Sequence, residues 1–200
     1  LHEVSFARYL EHLDLEHFPR LVAMEETLGI ATFDWLSGEI FESNSVIDSC
    51  HWKQCFDFLT NLQVGRNTEE ARRVPRASEA AFSLREHWGI LQYRHDYWLR
   101  RILKEPDCIP KLIKNLLLDE LEAKYQELAK EVLVAPDFNH VISIEEQILS
   151  PSDFGLHNAV LQKNGSLYFH DFEYAGWDDP AKTIADFFAQ PRHRTPSELF

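Results

Sequence analysis

The sequence predicts an α+β chain, β-rich at its start and mainly helical after Gly38. Three observations carry this. Residues 20–24 (RLVAM) and 30–36 (IATFDWL) are apolar runs separated by Glu25-Glu26-Thr27-Leu28-Gly29, which reads as two strands around a turn. Beyond Gly38, apolar side chains recur at three- and four-residue intervals, the spacing of one helix face. Late in the chain, Asn164-Gly165 sits between Ala159-Val160-Leu161 and Leu167-Tyr168-Phe169, the pattern of a hairpin with a type I′ turn.

The elements follow in order. Residues 1–13 form an amphipathic pattern with Phe6, Leu10 and Leu13 on one face, and Pro19 stops it. After Gly38, Trp52, Cys55, Phe56, Leu59 and Leu62 mark a helix. Leu84, Trp88, Leu91, Trp98 and Ile102 mark a second. Pro110 opens a third, with Leu112, Ile113, Leu116, Leu117, Leu121, Tyr125, Leu128 and Val132 as its expected core stripe. Arg66 to Arg76, with Arg72, Arg73 and Arg76, reads as a solvated loop. His95 falls on the apolar stripe of the second helix and reads first as a satisfied core histidine, with a substrate contact as the alternative. Trp88 and Trp98 are expected in the core.

Composition narrows the function classes. The chain has 200 residues, 44% of them hydrophobic and 26% charged, enough for one large or two small globular domains. No apolar run approaches the ~18 residues of a membrane span. There are 33 acidic against 20 basic residues, a net charge of -13. That argues against a protein that binds by neutralising nucleic-acid phosphates. The three cysteines, Cys50, Cys55 and Cys108, include no CxxC, so neither a disulfide framework nor a structural zinc site is expected. A reducing, cytoplasmic setting is the expectation. No signal peptide is visible, the first residue is Leu1, and the only methionine is Met24. A fragment or a processed chain is therefore expected.

The chemistry concentrates between Ser150 and Phe188 (SPSDFGLHNAVLQKNGSLYFHDFEYAGWDDPAKTIADFF). The hairpin brings Asp153 and Asn158, before its first strand, close to Asp171, after its second. Two carboxylates and a carboxamide then converge. Oxygen ligands of this kind suit Mg²⁺, which takes only one or two carboxylates and completes its shell with phosphates and water. Phosphoryl transfer to a hydroxyl needs this division of labour: metal ligands beside the nucleotide phosphates, and one free carboxylate to orient the acceptor. The bland alternative is that these aspartates are turn residues and helix caps. Asp179-Pro180 already reads as an N-cap followed by proline at the first helical position.

The same segment resembles the aminoglycoside phosphotransferase and choline kinase family, which is protein-kinase-like. Asp153-Phe154-Gly155-Leu156-His157-Asn158 resembles its catalytic loop, and Asp171-Phe172-Glu173 its metal-binding motif. Gly176-Trp177-Asp178-Asp179-Pro180 and Asp186 resemble the Gly-Asp-Pro segment and the aspartate that follows it. The resemblance implies that Asp153 is the catalytic base and that Asn158 and Asp171 are Mg²⁺ ligands. It implies a partial β-rich N-lobe over residues 1–36, with a hinge near 34–38. A helical C-lobe over 37–200 would then carry the catalytic hairpin at 150–175. Leu1 to Leu13 would be the helix whose glutamate, best matched by Glu3, pairs with a nucleotide-binding lysine. Adenine would lie against the backbone near Asp34, Trp35 and Leu36.

The departures are specific. The family's usual His-Gly-Asp is Pro151-Ser152-Asp153 here. His157 replaces a small residue and becomes a possible substrate contact, as does Glu173. His170 replaces an apolar neighbour of the metal aspartate. No glycine-rich phosphate loop or lysine strand precedes Leu1, and the family's last helices are missing before Phe200, so the chain reads as a piece of a longer kinase-like protein. The implied function is ATP- and Mg²⁺-dependent transfer of a γ-phosphate to a small-molecule hydroxyl, the acceptor being an amino sugar, choline-like alcohol or sugar. Neither a nucleic acid nor a membrane is an expected partner. The alternative is a catalytically silent kinase-like module that binds a nucleotide or another ligand. A metal-dependent hydrolase would need further ligands around Asp171, with His157 and His170 the nearest candidates.

Overall fold

A computed structural model describes residues 2–42, 45–104, 110–193 and 196. Leu1, Cys108 and Phe200 lie outside the described residues, as do the side chains of Leu112 and Leu117. The chain divides into two compact units, residues 1–80 with 144–200, and residues 81–143.

The first unit begins with α1 (His2–His12), which buries Val4, Phe6, Ala7, Tyr9 and Leu10. The hairpin of β1 (Leu21–Glu25) and β2 (Ile30–Phe33) follows, paired from Leu21↔Phe33 to Glu25↔Ile30 with a bulge between Leu21 and Ala23. Gly29 takes φ 65° in its turn, a left-handed conformation that glycine adopts without penalty. The β-rich part does not end at Gly38, as the sequence suggested. A short β3 (Glu39–Ile40) pairs with a much later strand, Glu39↔Leu161 and Ile40↔Val160.

The next helix, α2 (Ser49–Asn61), starts with a capping box between Asp48 and His51. It buries Trp52, Cys55 and Phe58. Phe58 is buried with Trp52 and Cys55, whereas the expected Phe56 and Leu59 are only half-buried. The stretch from Arg66 to Arg76 is not simply a solvated loop. Thr68 caps α3 (Glu69–Arg73), with Glu69 and Glu70 in its first turn and Arg72 and Arg73 in its last, charges that suit the helix dipole. Its Ala71 and the following Val74 are buried. Arg72 and Arg73 remain exposed as expected, while Arg76 Nη2 donates to Ala80 O at 2.6 Å.

The remainder of this unit carries β4 (Ile148–Ser150), β5 (Ala159–Leu161), β6 (Leu167–Phe169), β7 (Gly176–Asp178) and α7 (Pro180–Phe188). Strands β3, β5 and β6 form one antiparallel sheet, and β4 pairs with β7. Asp179 caps α7 by accepting from Ala181 N at 2.7 Å, ahead of Pro180, as the sequence predicts. The β5–β6 turn is a correction. Gly165 has φ 86°, but Asn164 is not left-handed. Gly165 N donates to Gln162 O, and Gln162 N to Ser166 O. This is a type I turn closed by a left-handed glycine, not the type I′ turn expected from the dipeptide. The turn also sets the register: Ala159↔Phe169, Val160↔Tyr168 and Leu161↔Leu167, one residue off the pairing that a two-residue loop at Asn164-Gly165 would impose.

The second unit contains α4 (Leu84–Lys104), α5 (Lys111–Asn115), a π-helical turn (Leu116–Leu121) and α6 (Glu122–Val132). Trp88 is buried, but Trp98 is 44% exposed, against the core expectation. The expected core stripe of the third helix is only partly covered: Ile113, Leu116, Leu121 and Leu128 are exposed. A π turn also interrupts the stripe. Its wider register rotates α6 relative to α5, so one 3.6-residue stripe cannot stay on one face. His95 is satisfied, as first read. It lies 2.6 Å from Glu122 Oε2 and 3.3 Å from Asp96 Oδ1, and stacks on Tyr125 with ring centroids 3.8 Å apart. A cavity of about 300 Å³ adjoins it, walled by Leu91, Trp98, Ile102 and Leu128.

Candidate functional site

The residue after each key aspartate anchors it. Phe154 and Phe172 are 3% and 2% exposed. Both stack on Phe58 of α2, at 5.5 and 6.0 Å between ring centroids. Phe169 of β6 fills the space between, 4.7 Å from Phe58 and 4.9 Å from Phe154. Phe6 of α1 joins from the other side, 5.2 Å from Phe172. One aromatic cluster therefore fixes α1, the loop of Asp153 and the loop of Asp171 in a common frame.

Backbone geometry aims the two loops. Ser152 and Asp171 are left-handed, at φ 67° and 66°. Such conformations are uncommon outside glycine and carry local strain. At Ser152 the strain is offset locally: its N–H donates to the Ser150 hydroxyl at 3.0 Å, and Phe154 N closes a tight turn onto Ser152 O at 2.8 Å. Asn158 ends a single 3₁₀ turn, Leu156–Asn158. Its Nδ2 donates to Asp153 O at 2.9 Å, so the amide is fixed with its oxygen left for another partner. His170 N donates to Asn158 O at 3.0 Å. That bond continues the β5–β6 ladder by one step and places Asp171 beside Asn158.

Of the residues singled out from the sequence, Asp153, Asn158 and Asp171 come together at this end of the hairpin, and Glu3 and Glu173 border Asp171. The Glu3 carboxyl is raised above its usual range, first by burial and then by the nearby Asp171, with Glu173 adding to the effect. The Phe172 main-chain N–H partly opposes it. His157 lies over Asp153, with Nε2 3.1 Å from Oδ1. Burial lowers the His170 imidazole; Asp171 opposes this and His157 reinforces it. Asp34, Trp35 and Leu36 occupy the extended stretch between β2 and β3, where Asp34 N donates to Arg20 O at 2.9 Å and Trp35 is 90% exposed.

Two residues at the site were not singled out from the sequence. Gln190, past the end of α7, donates Nε2 to Asp153 Oδ1 at 2.8 Å. Tyr174 faces the acidic group: its hydroxyl is raised first by a hydrogen bond to Glu173, and further by Asp171 and Asp153. Only adjacency to Asp171-Phe172-Glu173 pointed to Tyr174, and nothing short of the fold brings Gln190 back to Asp153.

The donor set suits a hard cation held partly by a ligand. The Asn158 amide oxygen and the Asp171 carboxylate are oxygen donors of the kind Mg²⁺ prefers, and one carboxylate is enough when phosphates supply the rest. Among the described residues, no group of three or more His, Cys, Asp or Glu side chains stands ready to hold a metal. An all-protein cage of the kind a metal-dependent hydrolase needs is thus not seen there.

No protein-family model matches the chain, and no curated protein matches it in sequence. Its fold does match solved structures. Spectinomycin phosphotransferase, in complex with ADP and spectinomycin, superposes with a TM-score of 0.61 at 9% identity, covering 96% of this chain and 58% of that one. A choline/ethanolamine kinase family protein from Mesorhizobium loti gives 0.52 at 12% identity, covering 94% and 54%. Choline kinase LicA from Streptococcus pneumoniae gives 0.51 at 13% identity, covering 99% and 64%. The chain thus has the protein-kinase-like α+β fold of the aminoglycoside phosphotransferase and choline kinase structures. It spans less than two thirds of the length of each.

Proposed function

We propose that this chain forms part of an ATP- and Mg²⁺-dependent phosphotransferase that moves the γ-phosphate to a hydroxyl of a small molecule. The observation that carries the reading is the His170 N–Asn158 O bond. It ties the Asp153–Asn158 loop to the Asp171 loop at one end of a short hairpin. The phosphotransferase fold of the structural neighbours supports the same reading.

In this reading Asn158 and Asp171 hold the metal, and Asp153 accepts a hydrogen bond from the acceptor hydroxyl and then its proton. The chemistry a bound Mg²⁺ supplies is neutralisation of charge on the nucleotide phosphates. Glu3, already crowded by Asp171 and Glu173, pairs with a cationic side chain beside those phosphates. The adenine lies along Asp34, Trp35 and Leu36, on the hinge between lobes that divide near residue 36. His157 and Glu173 border the acceptor. A net charge of -13 favours a cationic alcohol, such as an amino sugar or a quaternary-ammonium alcohol. Among the described residues no helix is long and apolar enough to cross a membrane, and the cysteine usage supports a reducing, cytoplasmic setting.

The test is Mg·ATP titration and steady-state turnover of the full-length protein. Asp171→Asn should weaken Mg²⁺-dependent nucleotide binding and abolish transfer. Asp153→Asn should keep nucleotide affinity within a few-fold while lowering kcat by about 10²–10⁴, the range for losing a positioned acid–base group. If Asp153→Asn loses nucleotide binding and Asp171→Asn keeps it, the roles are reversed. Normal transfer in both leaves these aspartates as turn residues and ends the reading. The departures at Pro151 and His157 in the catalytic loop favour a second reading, a catalytically silent binding module. Nucleotide binding without Mg²⁺-dependent ATP turnover would select that second reading.

A further inference from the structure

Two side chains converge on one oxygen of Asp153. Gln190 Nε2 donates to Oδ1 at 2.8 Å, and His157 Nε2 stands 3.1 Å from the same atom. The two nitrogens are 3.5 Å apart. They reach Asp153 from different elements, His157 from the 3₁₀ turn and Gln190 from the segment after α7.

An ionised carboxylate only accepts hydrogen bonds, so His157 must present an N–H at Nε2. In the neutral ring this leaves Nδ1 bare. Nδ1 is in fact buried with no hydrogen-bond partner, and the His157 side chain is only 9% exposed. A buried acceptor without a partner costs stability, so the ring gains nothing at Nδ1 to fix it there. What fixes it is the bond to Asp153 and the room left by Gly155. A Cβ at position 155 would come within 3.0 Å of His157 Nδ1 and 3.2 Å of Gln190 Cγ. Both side chains therefore pack closely over Gly155.

We propose that His157 and Gln190 are positioning residues that clamp Oδ1 of Asp153 and reserve Oδ2 for the acceptor hydroxyl. This rests on the reading of Asp153 as the acceptor's partner. The Asp153 side chain is 50% exposed, and the last torsion of an aspartate is broad. Without the clamp the carboxylate plane turns freely, and small losses of alignment are costly when catalysis is mainly orientation.

The experiment measures kcat and Mg·ATP affinity for His157→Ala and Gln190→Ala in the full-length protein, each alone and combined with Asp153→Asn. Each alanine variant should lower kcat about tenfold, a modest misalignment effect, with nucleotide affinity within about twofold. His157→Gln, which keeps a side-chain N–H, should recover most of the loss. In the Asp153→Asn background neither alanine change should lower kcat further. The ¹⁵N spectrum of neutral His157 should show a protonated Nε2 and a bare Nδ1, and lose that bias in Asp153→Asn. Gln190→Ala keeps the test open if His157→Ala does not fold. Wild-type kcat in both alanine variants overturns the clamp, as do losses that persist without the Asp153 carboxylate or that track nucleotide affinity. Wild-type turnover in Asp153→Asn overturns the phosphotransfer reading itself, whereas an essential Asp153 with inert His157 and Gln190 overturns the clamp alone.

Discussion

Phe58→Ala should destabilise the protein by about 3–5 kcal/mol, the range for a buried phenylalanine cut to alanine. The upper half is expected. Phe58 is 6% exposed, and its ring lies 4.7–6.0 Å from three other phenylalanines, Phe154, Phe169 and Phe172. Aromatic pairs add roughly 0.5–1.5 kcal/mol beyond area burial, and those three neighbours sit on two segments, the Asp153 loop and the stretch from β6 into the Asp171 loop, that are tied to each other and cannot both collapse into the gap. Phe58→Leu keeps much of the apolar volume and should cost less than about 2 kcal/mol. Urea unfolding followed by tryptophan fluorescence, with slope and midpoint compared, gives both values. A loss below about 1 kcal/mol in Phe58→Ala would refute the idea that one aromatic cluster frames the site. So would a loss no larger than that of Phe58→Leu.

Glu3→Gln should raise the stability of the metal-free protein near neutral pH while lowering kcat in the full-length enzyme. Burial, Asp171 and Glu173 raise the folded Glu3 carboxyl, so ionised Glu3 opposes folding once pH exceeds that raised value, and the glutamine removes the charge. Thermal melts with turnover measurements check this; a destabilised variant with unchanged kcat would contradict it. His95 should add stability at low pH. Burial opposes its charged ring, but the Glu122 and Asp96 contacts outweigh that and hold the imidazole above its usual range. Its contribution is therefore complete below about 6.5, the unfolded value, and fades as pH rises through the raised folded value. The urea-midpoint gap between wild type and His95→Gln should shrink from pH 6 to pH 9; a constant gap would exclude the linkage.

Much of this was legible from local chemistry. The β1–β2 hairpin, α1, α2, α4 and the proline-started α7 follow from apolar spacing, turn residues and caps. That Asp153, Asn158 and Asp171 converge could be read because a hairpin turns sequence distance into spatial proximity, whichever turn type closes it. What escaped depends on partners remote in sequence. The two residues of β3 have no strand signal of their own and exist because β5 offers an edge. The stripe read from the sequence took Phe56 and Leu59 and passed over Phe58, which is buried against Phe154, Phe169 and Phe172. The π turn at Leu116–Leu121 is an insertion-like slip in the helix register that apolar periodicity does not report. Gln190 has no motif, because its role comes from where α7 ends in space.

The bonds that seal the first unit run between distant parts of the chain. Trp177 Nε1 donates to Ala71 O across 106 residues, Gln63 Nε2 to Leu149 O across 86, and His2 Nδ1 meets Ala175 O across 173. Gly176 lies so close to the backbone at Pro75 that a Cβ would fall 2.4 Å from its carbonyl oxygen, so the late segment must thread into an existing groove. Contacts of such long loops close slowly. The unit at 81–143 is contiguous in sequence and can form from local contacts. During synthesis it is expected to organise first, while the site waits for the residues around 177 to leave the ribosome. Pulse-labelled hydrogen exchange on refolding should protect amides of α4 and α6 before those of β4 and β7. Simultaneous protection would show that the two units fold as one.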